Sequence, residues 1–76
     1  MSEPPTSNQR RAFADNVRVA REKAGLTQEQ LAWAAGLHQT EIARIEGGRR
    51  NPGLDTILKV ARGLGVPPGD LFHGIA

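Results

Sequence analysis

Few side chains in this sequence could do covalent chemistry, and their spacing works against it. There is no Cys, so thiolate nucleophiles, disulfides and thiolate metal sites are excluded. His38 and His73 are the only histidines, and no acid cluster accompanies them, so no metal site is expected. No phosphate loop is present, and no carboxylates pair at helical spacing. A chain of 76 residues also has little room for a deep pocket. Neither enzyme activity nor a cofactor is expected. What remains is charge. The formal net charge of +2 decides nothing, but its distribution is uneven. Between Asn8 and Gly25 stand Arg10, Arg11, Arg18, Arg21 and Lys23 against only Asp15 and Glu22, and a second basic group follows at Arg44, Arg49 and Arg50. Charge alone leaves a nucleic-acid surface and ordinary solvated helix faces equally open.

The elements that would carry these residues are all helical. Met1–Thr6 has two consecutive prolines, no apolar pattern and no Lys or Arg, so residues 1–7 are expected to be a disordered arm and 8–76 the domain. Ser7 is a plausible N-cap for a first helix marked by Phe13, Val17, Ala20 and Ala24 and stopped at Gly25. Thr27-Gln28-Glu29-Gln30 fits a capping box opening a second helix, with Leu31, Ala32 and Ala35 inward and Gly36 as its end. Ala32 and Gly36 are small enough to let helix 2 approach helix 3 closely. Trp33 should point outward. A third helix follows Gly36-Leu37-His38 almost at once, with Ile42 and Ile45 inward and Gly47-Gly48 after it. Arg49-Arg50-Asn51-Pro52-Gly53 reads as a basic turn. Leu54, Ile57, Leu58, Ala61 and Leu64 mark the face of a fourth helix, and Pro67-Pro68 can open a short fifth one holding Leu71 and Phe72, with Ile75 beyond. Five helices and no strand make an all-α domain. With only 38% hydrophobic and 4% aromatic residues, its core must be aliphatic. No run is long and apolar enough to span a bilayer, and the polar start does not look like a signal peptide, so a soluble, cytoplasmic protein is expected.

Two short helices around a tight glycine-containing turn can be a helix-turn-helix or a plain helical hairpin. The residues go further. Gly25-Leu26-Thr27-Gln28-Glu29-Gln30-Leu31-Ala32, Ala35-Gly36-Leu37, Ile42 and Ile45-Glu46-Gly47 resemble the phage repressor and Cro (XRE-like) class of regulators. Arg49-Arg50-Asn51-Pro52, Leu54-Asp55-Thr56-Ile57 and Leu64-Gly65-Val66 extend the match over Val17 to Phe72. Within that class, Leu37-His38-Gln39-Thr40, the aromatic Trp33, Arg49-Arg50-Asn51-Pro52 and the chain length resemble the controller proteins of restriction–modification operons.

The resemblance implies a five-helix lambda-repressor-like domain. Its helix 2 would cross the phosphate backbone and its helix 3 would lie in the major groove. Gln39, Thr40 and Arg44 match base-reading positions: an amide can pair with adenine, a methyl with thymine, a guanidinium with guanine. Glu41 stands where controller proteins often have an aromatic; it can accept from a cytosine amine but repels phosphate. Gln28, His38, Arg49, Arg50 and Asn51 are expected on the DNA backbone. Arg21 and Glu46 match a structural ion pair between helices 1 and 3. Leu71, Phe72 and Ile75 exceed what a short last helix can bury, which implies a homodimer seam; the ordinary alternative is that Leu71 closes the monomer core. The expected partners are double-stranded DNA carrying an inverted-repeat operator and a second copy of the chain, with no membrane and no small-molecule effector. A rival reading from another class is an antitoxin, a partner-binding protein that autoregulates its operon.

Overall fold

The structure is a computed structural model describing residues 5–75, with side chains described for residues 8–75. Four α-helices and one 3₁₀ segment follow one another: α1 Pro5–Lys23, α2 Gln28–Ala35, α3 Gln39–Glu46, α4 Leu54–Leu64, then the 3₁₀ segment Pro68–Phe72. No strand occurs among the described residues. The expected fifth helix is thus not an α-helix. Pro68 suits its first position, but the segment has only five residues, Gly69 among them, and one tight turn is all such a piece supports. α1 also starts earlier than expected. Pro5 takes a first-turn position, where its missing N–H removes no helical bond, so residues 5–7 continue the helix and Ser7 is not its cap. The rest of the expected arm, residues 1–4, lies outside the described residues.

Local rules set the boundaries of α2. Thr27 Oγ1 accepts from the Gln30 amide at 3.0 Å, and Gln30 Oε1 accepts from the Thr27 amide at 2.9 Å, closing the capping box. Gly36 ends the helix at φ 71°, which lets Leu37 N donate to Ala32 O at 2.8 Å. That backbone conformation is the role of Gly36; a Cβ there would meet nothing within 4 Å. The close helix approach lies elsewhere. A Cβ on Gly63 of α4 would sit 3.0 Å from Ala35 N and 3.1 Å from Ala35 Cβ, so Gly63 is what allows α4 to press against the end of α2.

The core gathers Phe13, Val17, Leu31, Ala32, Ile42, Ile45, Val60, Ala61, Leu64 and Leu71 from every element. On α4 the inward stripe is Val60, Ala61 and Leu64 with Ile57 partly covered, whereas Leu54 and Leu58 stand beside it and remain 70% and 44% exposed. Leu71 is fully buried, so its expected place in a dimer seam is corrected: the single chain uses its whole surface, and only Phe72 and Ile75 keep an accessible edge. The Phe72 ring tilts against Phe13 with centroids 5.4 Å apart. Asn16, which carries no sequence signal, fixes this edge. Its Nδ2 donates to Leu71 O and to His73 O, both at 2.9 Å, using both amide hydrogens to tie the C-terminal segment to α1. No described helix is long and apolar enough to cross a membrane.

Candidate nucleic-acid interface

The roll of α3 is set by Ile42 and Ile45, both buried, so the opposite face must be solvent-exposed. Gln39, Thr40 and Arg44 are all exposed on α3, away from the two isoleucines. Ala43 is exposed as well and is too small to obstruct them. Thr40 and Arg44 are four residues apart, so they lie one turn above the other. His38 is the N-cap. Its carbonyl accepts from Glu41 N and Ile42 N, but its side chain makes no capping hydrogen bond and is exposed. The imidazole therefore stands beside the N-terminus of α3, where anions are favoured.

Glu41 sits at the edge of the face. Its Oε2 lies 3.5 Å from Arg50 Nη2, a half-exposed ion pair linking α3 to the turn that follows it. That pairing had no signal in the sequence, because the two residues are nine positions apart and separated by a turn. It partly offsets the charge of a carboxylate that would otherwise repel phosphate. Gly48, at φ 71°, turns the chain out of α3 and starts the irregular stretch carrying Arg49, Arg50 and Asn51; Arg49 and Asn51 are exposed and Arg50 is half-buried. Trp33 points outward from α2, 88% exposed.

Behind the face lies the expected ion pair. Arg21 Nε donates to Glu46 Oε2 at 2.7 Å, and Arg21 Nη2 donates to Glu46 Oε1 at 3.0 Å, the bidentate fork that suits a carboxylate. Arg21 Nη1 donates to Leu26 O at 2.9 Å, which ties down the α1–α2 connection just before α2. The Glu46 side chain is only 4% exposed. Its hydrogen bond raises the Arg21 pKa above its ordinary value, against the opposing pull of burial, so the guanidinium stays charged at any working pH. The structure adds a third member: Gln28 Nε2 donates to Glu46 Oε1 at 3.1 Å. Gln28 and the Arg21–Glu46 ion pair are one network. It joins the end of α1, the start of α2 and the end of α3.

Two short helices, locked at their ends and presenting one exposed polar face, match a known family. Residues 17–71 fit the model of the helix-turn-helix family. The chain belongs to that family. This helix-turn-helix chain is 46% identical over 68 residues to control protein C.BamHI of Bacillus amyloliquefaciens, a match covering 88% of the chain and 84% of that protein. It is 44% identical over 52 residues to control protein C.SmaI of Serratia marcescens, covering 68% of the chain and 62% of that protein. Among solved structures it resembles the restriction–modification controller protein C.AhdI from Aeromonas hydrophila, with a TM-score of 0.81 at 38% identity over 83% of the chain and 96% of that one. The helix-turn-helix protein is therefore a DNA-binding transcriptional regulator related to controller proteins, and not an enzyme.

Proposed function

We propose that this regulator binds an inverted-repeat operator as a homodimer and controls a restriction–modification operon. The observation that carries the reading is the exposed face of α3, with Gln39, Thr40 and Arg44 held outward by buried Ile42 and Ile45. Its likeness to C.BamHI and C.AhdI supplies the class of operon. Gln39 reads adenine, Thr40 packs on a thymine methyl and Arg44 reads guanine. Glu41, beside Arg50, narrows the set of sites the face accepts. Gln28, His38, Arg49, Arg50 and Asn51 hold phosphates and set the register. Exposed Phe72 and part-buried Ile75, which line one surface groove with Phe13 and Ile57, support a second copy as the cover for the C-terminal edge, since grouped apolar surface on a small domain marks an interface. A two-fold axis there would space the reading helices about 34 Å apart, one turn of duplex.

Selection of binding sites from random DNA, followed by sedimentation of the protein free and on the selected duplex, tests this reading. The expected result is an inverted repeat with half-sites about ten base pairs apart, bound by two copies. Absence of any enriched sequence, or one copy on a single half-site at high micromolar concentration, contradicts it.

A further inference from the structure

Glu46 accepts three hydrogen bonds through two oxygens, and the third donor has a consequence for the DNA interface. Oε2 takes Arg21 Nε, while Oε1 takes both Arg21 Nη2 and Gln28 Nε2. An ionised carboxylate has no hydrogen to give, so the Gln28 amide can meet it only nitrogen first; the flipped amide would set oxygen against oxygen. An amide nitrogen carries two hydrogens, and the carboxylate engages one of them. The other remains available at the first residue of α2, beside the unpaired backbone N–H groups of that helix end. The acceptor is close to dry, with the Glu46 side chain 4% and Arg21 14% exposed, and Gln28 beside it is half-buried, which favours one amide orientation before any partner arrives. Arg21 also cancels the charge of Glu46, which lets a carboxylate stand this near a polyanion without repelling it.

We propose that Glu46 is a positioning residue of the DNA interface: it presets the Gln28 amide with an N–H facing outward to a phosphate, and so ties the backbone clamp on α2 to the end of the reading helix α3. The inference rests on the reading that Gln28 meets a phosphate. Glu46 touches no DNA itself. It orients the donor and removes the freedom the side chain would otherwise lose on binding. It also fixes the distance between the clamp and the α3 face, because one carboxylate holds both.

The test is a double-mutant cycle of DNA binding with Gln28→Ala, Glu46→Gln and the pair, on the duplex selected from random DNA and on an unrelated duplex of equal length, at a temperature where circular dichroism shows every variant folded. In the native background Gln28→Ala should weaken both duplexes alike, by about tenfold for a lost bond to a charged group. In the Glu46→Gln background the amide is no longer forced donor-outward, and the same change should cost less than about twofold. An undiminished loss there overturns the positioning role while leaving the phosphate contact standing. No loss in the native background overturns the phosphate contact, and the inference with it. Should Glu46→Gln fail to fold, the two side-chain amide protons of Gln28 in the unmodified protein answer the same question by NMR. One should lie downfield and keep its position when the selected duplex is added, while its geminal partner shifts. Two protons that average by rotation in the free protein, or that shift together on DNA, overturn the proposal.

Discussion

α1 sends two side chains across the molecule, and they hold its two working regions differently. Arg21 reaches 25 residues ahead to Glu46 and locks the ends of α2 and α3. Asn16 reaches 55 and 57 residues ahead to Leu71 O and His73 O and locks the C-terminal edge. The first contact is charged, bidentate and nearly dry. The second is neutral, and its bond to His73 O is exposed. Cutting the first leaves a charge in a low-dielectric site; cutting the second leaves carbonyls that water can partly satisfy. The region that must present a fixed geometry to DNA is held rigidly. The edge proposed to meet a second copy is held by bonds weak enough to adjust.

Three substitutions probe that difference, in decreasing order of effect. Glu46→Ala strands the Arg21 guanidinium and releases Gln28; loss of one partner of a buried pair is expected to cost about 3–5 kcal/mol, lowering the thermal midpoint by more than about 10 °C in a domain this small. A shift of only a few degrees would show that the pair is not held dry. Asn16→Ala removes two neutral bonds, only one of them part-buried, and is expected to cost about 1 kcal/mol in urea unfolding. Its effect on self-association measured by sedimentation should exceed its effect on DNA contacts within one half-site. A stability loss as large as that of Glu46→Ala would erase the distinction. Glu41→Gln cuts a half-exposed ion pair and should change stability by less than about 1 kcal/mol, while raising affinity for random duplex as Arg50 is freed and a negative charge is lost. Unchanged affinity for random duplex would show that Glu41 does not restrain Arg50.

What the sequence disclosed follows the range of each interaction. The capping box at Thr27 and Gln30 and the left-handed stops at Gly36 and Gly65 are legible because their rules act over three or four residues. The buried Ile42 and Ile45 follow from helical period, and with them the outward face of Gln39, Thr40 and Arg44. The Arg21–Glu46 pair is legible only through resemblance to a family, since 25 residues separate the partners. Gln28 on Glu46, Arg50 on Glu41, Asn16 on the C-terminal carbonyls and Gly63 on Ala35 had no local signal, because tertiary packing alone brings them together. Two apolar readings were also corrected by the packing. Leu54 and Leu58 fit the apolar period of α4 but stand beside the stripe that packs, whereas Leu71, read first as a seam residue, follows the alternative reading and closes the core. A pattern of apolar residues shows that a helix has a covered face, not which of its members the rest of the chain reaches.

On the proposed reading, the exposed face of α3 reads sequence while the turn after it holds the backbone. Equilibrium binding of Arg44→Ala and Arg49→Ala to the selected duplex and to unrelated DNA tests it most directly. Arg44→Ala should lose about 1–3 kcal/mol on the selected duplex, relax the preference at one base pair and change little on unrelated DNA, whereas Arg49→Ala should weaken both duplexes alike and lower the salt slope by about one. An equal loss on both duplexes for Arg44→Ala would contradict the assignment of α3 as the reading element.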